Sequence, residues 1–201
     1  LQALAPKLAN VRGELSSISM GSALMGLKFM TAEHVEVAEV VRIISEKITE
    51  STVMINDQSF NSLRFGLKSM SDDHPDVRAL LVAITTKVKS SKLLDGIDIG
   101  PLSWALCGLQ QMNGKHPETK KLIEALISIS EANMQTLQGS DASRSLYGLK
   151  SIDLELCPEG ATLLGILAKK IAAAKTVYSS SSVATGLYSL KTRTSKNPEA
   201  L

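Results

Sequence analysis

Lysines and aromatic rings recur along this sequence at intervals of about 40 residues, and together they could bind a nucleic acid. Three lysines follow a Gly-Leu pair at the same distance each time: Lys28, Lys68 and Lys150. Aromatic side chains directly precede the glycine of two such pairs, as Phe65 and Tyr147. Ammonium groups neutralise phosphates and rings stack on bases. If structurally equivalent elements carry these residues, the pattern indicates a surface that binds a single-stranded nucleic acid.

Histidines and cysteines are the other side chains that could take part in chemistry. His34, His74 and His116 occupy one position relative to the Gly-Leu pair, so they lie one copy apart. Zinc ligands must converge at about 2.0–2.1 Å from one ion, which this spacing prevents. Cys107 and Cys157 have no CxxC partner, so no disulfide framework is predicted and an intracellular location is favoured. We expect the histidines to begin helices.

Motifs for catalysis and cofactor binding are missing from the sequence. Neither GxGxxG nor GxxxxGK is present, and the recurring glycines are expected in the middle of helices. No Ser/His/Asp grouping can be read from the spacing. We therefore predict that the chain is not an enzyme and has no catalytic, cofactor-binding or metal-binding residues.

The elements that position these residues are repeated segments built around the Gly-Leu pair. Five segments contain it, with glycines at Gly26, Gly66, Gly108, Gly148 and Gly186. Each glycine is thus separated from the next by about 40 residues. A fixed period of about 20–50 residues is the mark of a solenoid or a propeller. A glycine retained in a helix, at a cost of about 1 kcal/mol against alanine, indicates close approach of a neighbouring helix.

A second motif follows each Gly-Leu pair and predicts another helix. His74-Pro75-Asp76, His116-Pro117-Glu118, Cys157-Pro158-Glu159 and Asn197-Pro198-Glu199 place proline and an acid where a helix begins, and His34-Val35-Glu36 lacks the proline. Apolar residues then follow at helical spacing: Val37, Val40, Val41, Ile44 and Ile48; Val77, Leu80, Leu81, Ile84 and Val88; Leu163, Leu164, Leu167 and Ile171. No strands are readable, so a propeller is excluded. The predicted fold is all-α, a right-handed α-solenoid of helix–turn–helix repeats, each about 40 residues long.

The expected organisation is one solenoid segment over residues 1–201. Its parts are 1–10 (the end of a preceding repeat), 15–50, 55–92, 97–133, 138–175 and a partial repeat over 179–201. The start of the chain resembles the end of a second helix, and Asn197-Pro198-Glu199 begins another. Solenoids need polar capping repeats, and none is visible, so we expect a segment of a longer chain.

The third copy resembles a known repeat family. Leu102-Ser103-Trp104-Ala105-Leu106-Cys107-Gly108-Leu109, with His116-Pro117-Glu118 and Leu122-Ile123-Glu124-Ala125-Leu126, is similar to the octotricopeptide repeat. The other copies carry Ser22, Ser62, Arg144 and Ser182 at the tryptophan position. The resemblance covers nearly the whole chain and implies an organellar protein, of chloroplast or mitochondrion, that binds single-stranded RNA along its concave face.

A helical wheel over the Gly-Leu segments separates a core side from an outer side. The positions predicted to face a ligand are Lys28, Asn61, Phe65, Lys68, Ser103, Trp104, Gln110, Arg144, Tyr147 and Lys150. Two alternatives stay open. A repeated lysine is also typical of a solvated face, and Met25, Phe65 and Tyr147 could pack on the neighbouring copy.

Composition restricts the function classes further. The formal net charge is +2, with 22 basic and 20 acidic residues, so nucleic-acid binding would depend on a local stripe of charge. The longest apolar run is too short for membrane insertion. Two functions remain: an RNA-binding protein of an organelle, and a scaffold or linker subunit that mediates protein–protein contacts in a larger complex, organellar or photosynthetic.

Overall fold

The computed structural model describes residues 1–91 and 97–191, and all regular structure in these stretches is helical. Their α-helices are α1 (Ala5–Ala9), α2 (Ser17–Gly26), α3 (Val35–Glu50), α4 (Asp57–Asn61), α5 (Leu63–Leu67), α6 (Pro75–Ser90), α7 (Ile99–Cys107), α8 (Pro117–Ala132), α9 (Gly139–Gly148), α10 (Pro158–Ala172) and α11 (Ser180–Leu190). The predicted all-α class is confirmed. The helix start expected at Asn197-Pro198-Glu199 lies outside the described residues.

The helices pack in two sets, each following the order of the chain. The long helices form one set: α3 contacts α6, α6 contacts α8, α8 contacts α10, and α1 lies against α3. The short helices form the other: α2 contacts α4 and α5, these contact α7, α7 contacts α9, and α9 contacts α11. The two motifs of the sequence thus lie on different sets of helices. Among the described residues, no helix combines the length and the apolarity that crossing a membrane requires.

The long helices begin where the Pro-acid motif predicts. Pro75, Pro117 and Pro158 are the first residues of α6, α8 and α10, and an acidic residue follows each one. The acid lies near the positive end of the helix dipole. His34, His74 and His116 are the N-cap residues of α3, α6 and α8. Only the His74 ring accepts a cap hydrogen bond, from the Asp76 amide at 3.3 Å.

The apolar stripes of the long helices form the core, as predicted. Every stripe residue of α3 and α6 is buried, and so are Leu163, Leu164 and Leu167 of α10. Ile171, at the end of α10, is partly buried against the same core. Because the stripe faces the other helices along its whole length, the long set buries one continuous apolar face.

The prediction that the recurring glycines lie mid-helix is wrong for most copies. Gly26 and Gly148 are the last residues of α2 and α9, and Gly108 is the C-cap of α7. Gly66 lies one residue before the end of α5, and Gly186 lies inside α11. Except for α11, the short helices therefore end at the glycine or within one residue of it, earlier than their apolar pattern suggests.

The packing role predicted for these glycines is confirmed at three copies. A Cβ on Gly148 would overlap the Leu106 carbonyl and lie 2.9 Å from the Cα of Cys107. A Cβ on Gly108 would lie 3.1 Å from the Cα of Arg64, and one on Gly66 would lie 2.7 Å from the Leu24 side chain. Adjacent short helices therefore approach closely where their glycines lie.

Buried polar side chains connect successive segments. The Asp72 carboxylate accepts hydrogen bonds from the amides of Asn113 (2.9 Å) and Gly114 (3.1 Å) and from the Thr119 hydroxyl (2.7 Å). A second link joins the long helices: the Lys87 ammonium of α6 donates to the carbonyl of Ser51, the C-cap residue of α3.

Candidate functional site

Positive side chains and aromatic rings alternate across the short helices. We refer to them together as the cation–ring row. Its members are Lys28, Phe29, Arg64, Phe65, Trp104, Arg144, Tyr147, Lys150, Tyr188 and Lys191. They come from α5, α7, α9 and α11 and from the turns after α2, α9 and α11. Because these helices pack in chain order, residues far apart in sequence form one surface.

The first half of the row centres on Trp104. The Arg64 guanidinium carbon lies 4.2 Å from the Phe65 ring centroid and 3.9 Å from that of Trp104. Arg144 lies 4.2 Å from the same Trp104 centroid. The Lys28 ammonium, 5.2 Å from the Phe65 centroid, extends the row toward α2. These distances fall within the range of attractive cation–π contact, roughly 6 Å.

The second half of the row centres on two tyrosines. The ring centroids of Tyr147 and Tyr188 are 6.4 Å apart, with 24° between the ring planes. The Lys150 ammonium lies 4.0 Å from the Tyr147 centroid, and that of Lys191 lies 4.2 Å from the Tyr188 centroid. A cleft beside these rings is lined by Lys150, Ser151, Tyr188, Ser189 and Lys191.

A second cleft opens on the first half of the row. It is lined by Lys28, Arg64, Phe65, Lys68, Trp104 and Cys107. Burial raises the pKa of the Cys107 thiol, and the positive charges of Lys68 and Arg144 oppose that rise in part. The thiol therefore stays protonated at neutral pH and is a weak nucleophile.

Arg64 is a partly buried cation of the row. Burial lowers the pKa of its guanidinium, the Cys107 side chain opposes the shift and the charge of Arg144 adds to it. Its buried Nε has no hydrogen-bond partner within the described residues. Arginine keeps its charge in proteins because its intrinsic pKa exceeds about 12. The ring contacts with Phe65 and Trp104 thus surround a permanent cation.

Most of the predicted ligand-facing residues come together in this region. Lys28, Phe65, Trp104, Arg144, Tyr147 and Lys150 belong to the row, and exposed Lys68 lines its first cleft. Asn61 lies half-buried in α4, outside the row, and its buried Oδ1 has no partner among the described residues.

The expectation of an outward-facing side chain is wrong for Ser103 and Gln110, which are both buried. The Ser103 hydroxyl lies 2.8 Å from the Gly100 carbonyl and 3.0 Å from the Asp141 carboxylate, in the contact between α7 and α9. The Gln110 side-chain amide donates to the Lys68 carbonyl at 3.0 Å. Both side chains hold neighbouring segments together.

The predicted ligand-facing set lacks four members of the row: Phe29, Arg64, Tyr188 and Lys191. Arg64 lies two residues before its glycine, a position occupied by Leu24, Leu106 and Leu146 in three other copies and by Ala184 in the fifth. Comparison of the copies therefore assigns it to the core. The sequence feature that could have identified Arg64 as a surface residue is its place directly before Phe65.

His116 and Lys115 both contact the carboxylate of Asp73. His116 Nε2 lies 3.3 Å from an Asp73 carboxylate oxygen, and the Lys115 ammonium lies 2.7 Å from it. Hydrogen bonds from Lys115, His116 and Asn113 lower the pKa of Asp73 to about 2. Across residues 1–91 and 97–191, no three His, Cys, Asp or Glu side chains cluster as a metal site would require.

Comparison of the chain with protein-family models, with curated proteins and with solved structures found no match.

Proposed function

We propose that this chain is a non-catalytic helical-repeat protein that binds single-stranded RNA along the cation–ring row. In this proposal the two sets of helices are layers of a right-handed α-solenoid. Its repeats are helix–turn–helix units of about 40 residues, like those of the octotricopeptide family. The site of action is an organelle, a chloroplast or a mitochondrion. The observation that carries the proposal is the alternation of cations and rings along one set of helices.

The chemistry of the row suits a single strand better than a duplex. Rings stack on unpaired bases, which a duplex keeps inside, while lysines and arginines neutralise the phosphates. Packed helices lie about 8–10 Å apart, so the row offers one new set of contacts for every one or two nucleotides. Asp141, paired with Arg144, is the acidic partner of the row within the described residues.

A local stripe of positive charge can bind RNA even though the net charge of the chain is low. The chain as a whole carries only +2, which gives little long-range attraction for a polyanion. The row nevertheless gathers Lys28, Arg64, Arg144, Lys150 and Lys191 on one surface, with Lys68 beside it. Binding by such a stripe is local and strongly dependent on salt.

The tryptophan provides a direct test, because Trp104 is the single tryptophan of the chain and lies in the row. Its emission therefore reports on this surface alone. Titration with a single-stranded RNA of mixed sequence at low salt should change that emission, and a duplex of the same sequence should bind more weakly. An emission spectrum that single-stranded RNA leaves unchanged would contradict the proposal.

Salt dependence tests whether the lysines take part. Replacing Lys28, Lys68 and Lys150 by alanine should weaken binding and reduce the slope of log K against log salt by about 2, since each phosphate contact on a single strand contributes about 0.7. The matched control replaces Lys7, Lys121 and Lys169, three exposed lysines of the long helices and of α1, which packs with them. It removes the same charge and should leave the slope nearly unchanged. Equal effects of the two triple variants would rule out the row.

A scaffold or linker subunit of a larger organellar or photosynthetic complex is the second candidate. It is favoured by large apolar side chains that are strongly exposed, among them Phe29 (83%), Leu187 (66%) and Met134 (91%). Exposed apolar residues of this size are common at protein interfaces when they form patches. This function predicts no RNA affinity at moderate salt and stable co-purification with protein subunits.

A further inference from the structure

The cleft on the first half of the row contains three cations and no carboxylate. Lys28, Arg64 and Lys68 line it, and the other lining residues are two aromatic rings and a thiol. None of the three cations forms an ion pair within residues 1–91 and 97–191, whereas nearby Arg144 pairs with Asp141. The cleft therefore has a surplus of positive charge.

Arg64 brings unused hydrogen-bond donors to this cleft. Its side chain makes no hydrogen bond to any described residue, and its Nε is buried. A guanidinium carries five N–H donors, and a buried donor without a partner costs free energy. Two parallel N–H groups of an arginine match two oxygens of a phosphate, and the charge strengthens both hydrogen bonds. The unused donors therefore indicate a ligand with anionic oxygens.

The two rings of the cleft are already in contact with cations of the chain. Phe65 contacts Arg64 at 4.2 Å and Lys28 at 5.2 Å, and Trp104 contacts Arg64 at 3.9 Å and Arg144 at 4.2 Å. A base that stacked on either ring would compete with these contacts. A phosphate would not, because the N–H groups of a guanidinium point outward in its own plane and stay free when its flat face lies on a ring. The rings here therefore orient the arginine.

The Cys107 thiol shows that several of these charges act at one place. Burial raises the pKa of the thiol, and four positive charges oppose the rise, in order of effect those of Lys68, Arg144, Arg64 and Lys150. These cations come from α5, from α9 and from the turns that follow the two helices. The positive potential of the cleft is therefore built by two successive short segments of the chain.

We infer that this cleft binds a phosphate group of the RNA, which Arg64 holds with two parallel N–H groups while Lys28 and Lys68 neutralise its charge. Phe65 and Trp104 orient the guanidinium and leave base stacking to the rest of the row. The inference rests on the proposed function and adds which ligand group this cleft takes. The phosphate belongs either to the interior of the strand or to its 5′ end, and these two sources are distinguished below.

Two small probes separate a phosphate from a base. Pyrophosphate contains phosphate without a base, and uridine contains a base without phosphate. At constant ionic strength, pyrophosphate should change the Trp104 emission and slow the alkylation of Cys107 by iodoacetamide, because both side chains line the cleft. Uridine should do neither. Buried Cys157 should stay unreactive throughout and so reports that the protein is folded. The opposite result, with uridine active and pyrophosphate inactive, would overturn the inference.

Substitutions test which cations hold the phosphate. Lys68→Ala should weaken pyrophosphate binding about three-fold or more, whereas Lys121→Ala, which removes an exposed lysine of α8, should not. Arg64→Lys keeps the charge but loses the planar pair of donors, and it should weaken binding about five-fold or more. Because Lys68 is exposed, its variant tests the cleft even if Arg64→Lys unfolds. Wild-type affinity in both variants would contradict the inference.

Oligouridine with and without a 5′-phosphate distinguishes the two sources of phosphate. Tighter binding of the 5′-phosphorylated strand, lost in Lys68→Ala, assigns the cleft to the strand end, and equal binding assigns it to an internal phosphodiester. If RNA changes the Trp104 emission but pyrophosphate neither changes it nor competes with RNA, the phosphate site is refuted and the proposed function stands. If pyrophosphate binds and RNA does not, the proposed function is refuted and an anion site alone remains.

Discussion

Arg64 shows how one side chain can order a surface without making a hydrogen bond through its Nε within the described residues. Its guanidinium contacts two rings, from α5 and α7, and so ties two helices together through flat faces. Lysine could keep the charge but could not lie flat against both rings, since an ammonium is a compact point charge. The position therefore depends on the shape of the cation as well as on its sign.

Asp73 provides a prediction at the scale of one residue. Its pKa is lowered from 3.8 to about 2 in the folded protein, chiefly by hydrogen bonds from Lys115, His116 and Asn113. A lowered pKa means that the ionised form stabilises the fold. That contribution is complete above about pH 4 and is lost as the pH falls toward 2.

The variant Asp73→Asn should show this in its melting temperature. The wild type should melt above the variant at pH 6, by about 2 °C or less because the ion pair is exposed and screened by salt. The difference should vanish near pH 2. A difference that is constant from pH 6 to pH 2 would show that the carboxylate charge contributes nothing.

At the scale of helices, local rules predict the long set better than the short set. The starts at Pro75, Pro117 and Pro158 follow from the fixed φ of proline and the missing N–H, which are properties of the residue itself. The apolar stripes follow from helical period. Both features are independent of the neighbouring segments, so the sequence alone is sufficient for them.

The short helices could not be predicted as well, because their neighbours decide which side chains are buried. The wheel extends through Gln110, but α7 ends at Cys107, so helical spacing no longer applies there. Ser103 lies within α7, yet it faces Asp141 of α9. Seen from one helix it is an outer residue, and the contact that buries it comes from a segment 38 positions later.

Two glycines at one repeat position offer a matched pair for the contact between short helices. Gly148→Ala should destabilise the protein by about 1–3 kcal/mol, since the new methyl group meets the backbone at Leu106 and Cys107. A methyl group on Gly26 would have no atom of another described segment within 4 Å. Gly26→Ala should therefore be neutral or stabilise by up to about 1 kcal/mol, because alanine favours the helix. Urea unfolding of both variants measures this, and equal destabilisation would contradict the packing described.

The buried lysine of α6 gives a second prediction for helix contacts. Lys87→Met removes the donor to the Ser51 carbonyl at the negative end of α3 and should cost about 1–3 kcal/mol. Lys47 occupies the corresponding position in α3 but pairs with Glu50 in an exposed ion pair. Lys47→Met should therefore cost less than about 0.5 kcal/mol. Chemical denaturation of the two variants side by side distinguishes the roles.

At the scale of the whole molecule, contacts run mainly between neighbours in each set of helices. In the proposed solenoid, stability is close to a sum of local and nearest-neighbour contributions. A perturbation in one segment should therefore stay near it. The Asp72 carboxylate, which joins consecutive segments through Asn113, Gly114 and Thr119, is one of the links that limit this independence.

Hydrogen exchange of Gly148→Ala tests this locality. Amides of α7, α9 and α11 should exchange faster than in the wild type, because these helices contact one another around the substituted position. Amides of α2 and α3 should keep their wild-type rates. Uniform acceleration along the chain would mean that the molecule unfolds as one cooperative unit instead.

The unequal crowding of the recurring glycines bears on how such a chain can diversify. The same Gly-to-Ala change meets open space at Gly26, a flexible side chain at Gly66, and backbone at Gly108 and Gly148. Segments that look interchangeable in an alignment are thus bound to their own neighbours. Moving or duplicating one segment would place a loosely packed helix surface against a neighbour that requires close packing. The smallest piece of the chain that keeps such a contact is therefore two consecutive segments.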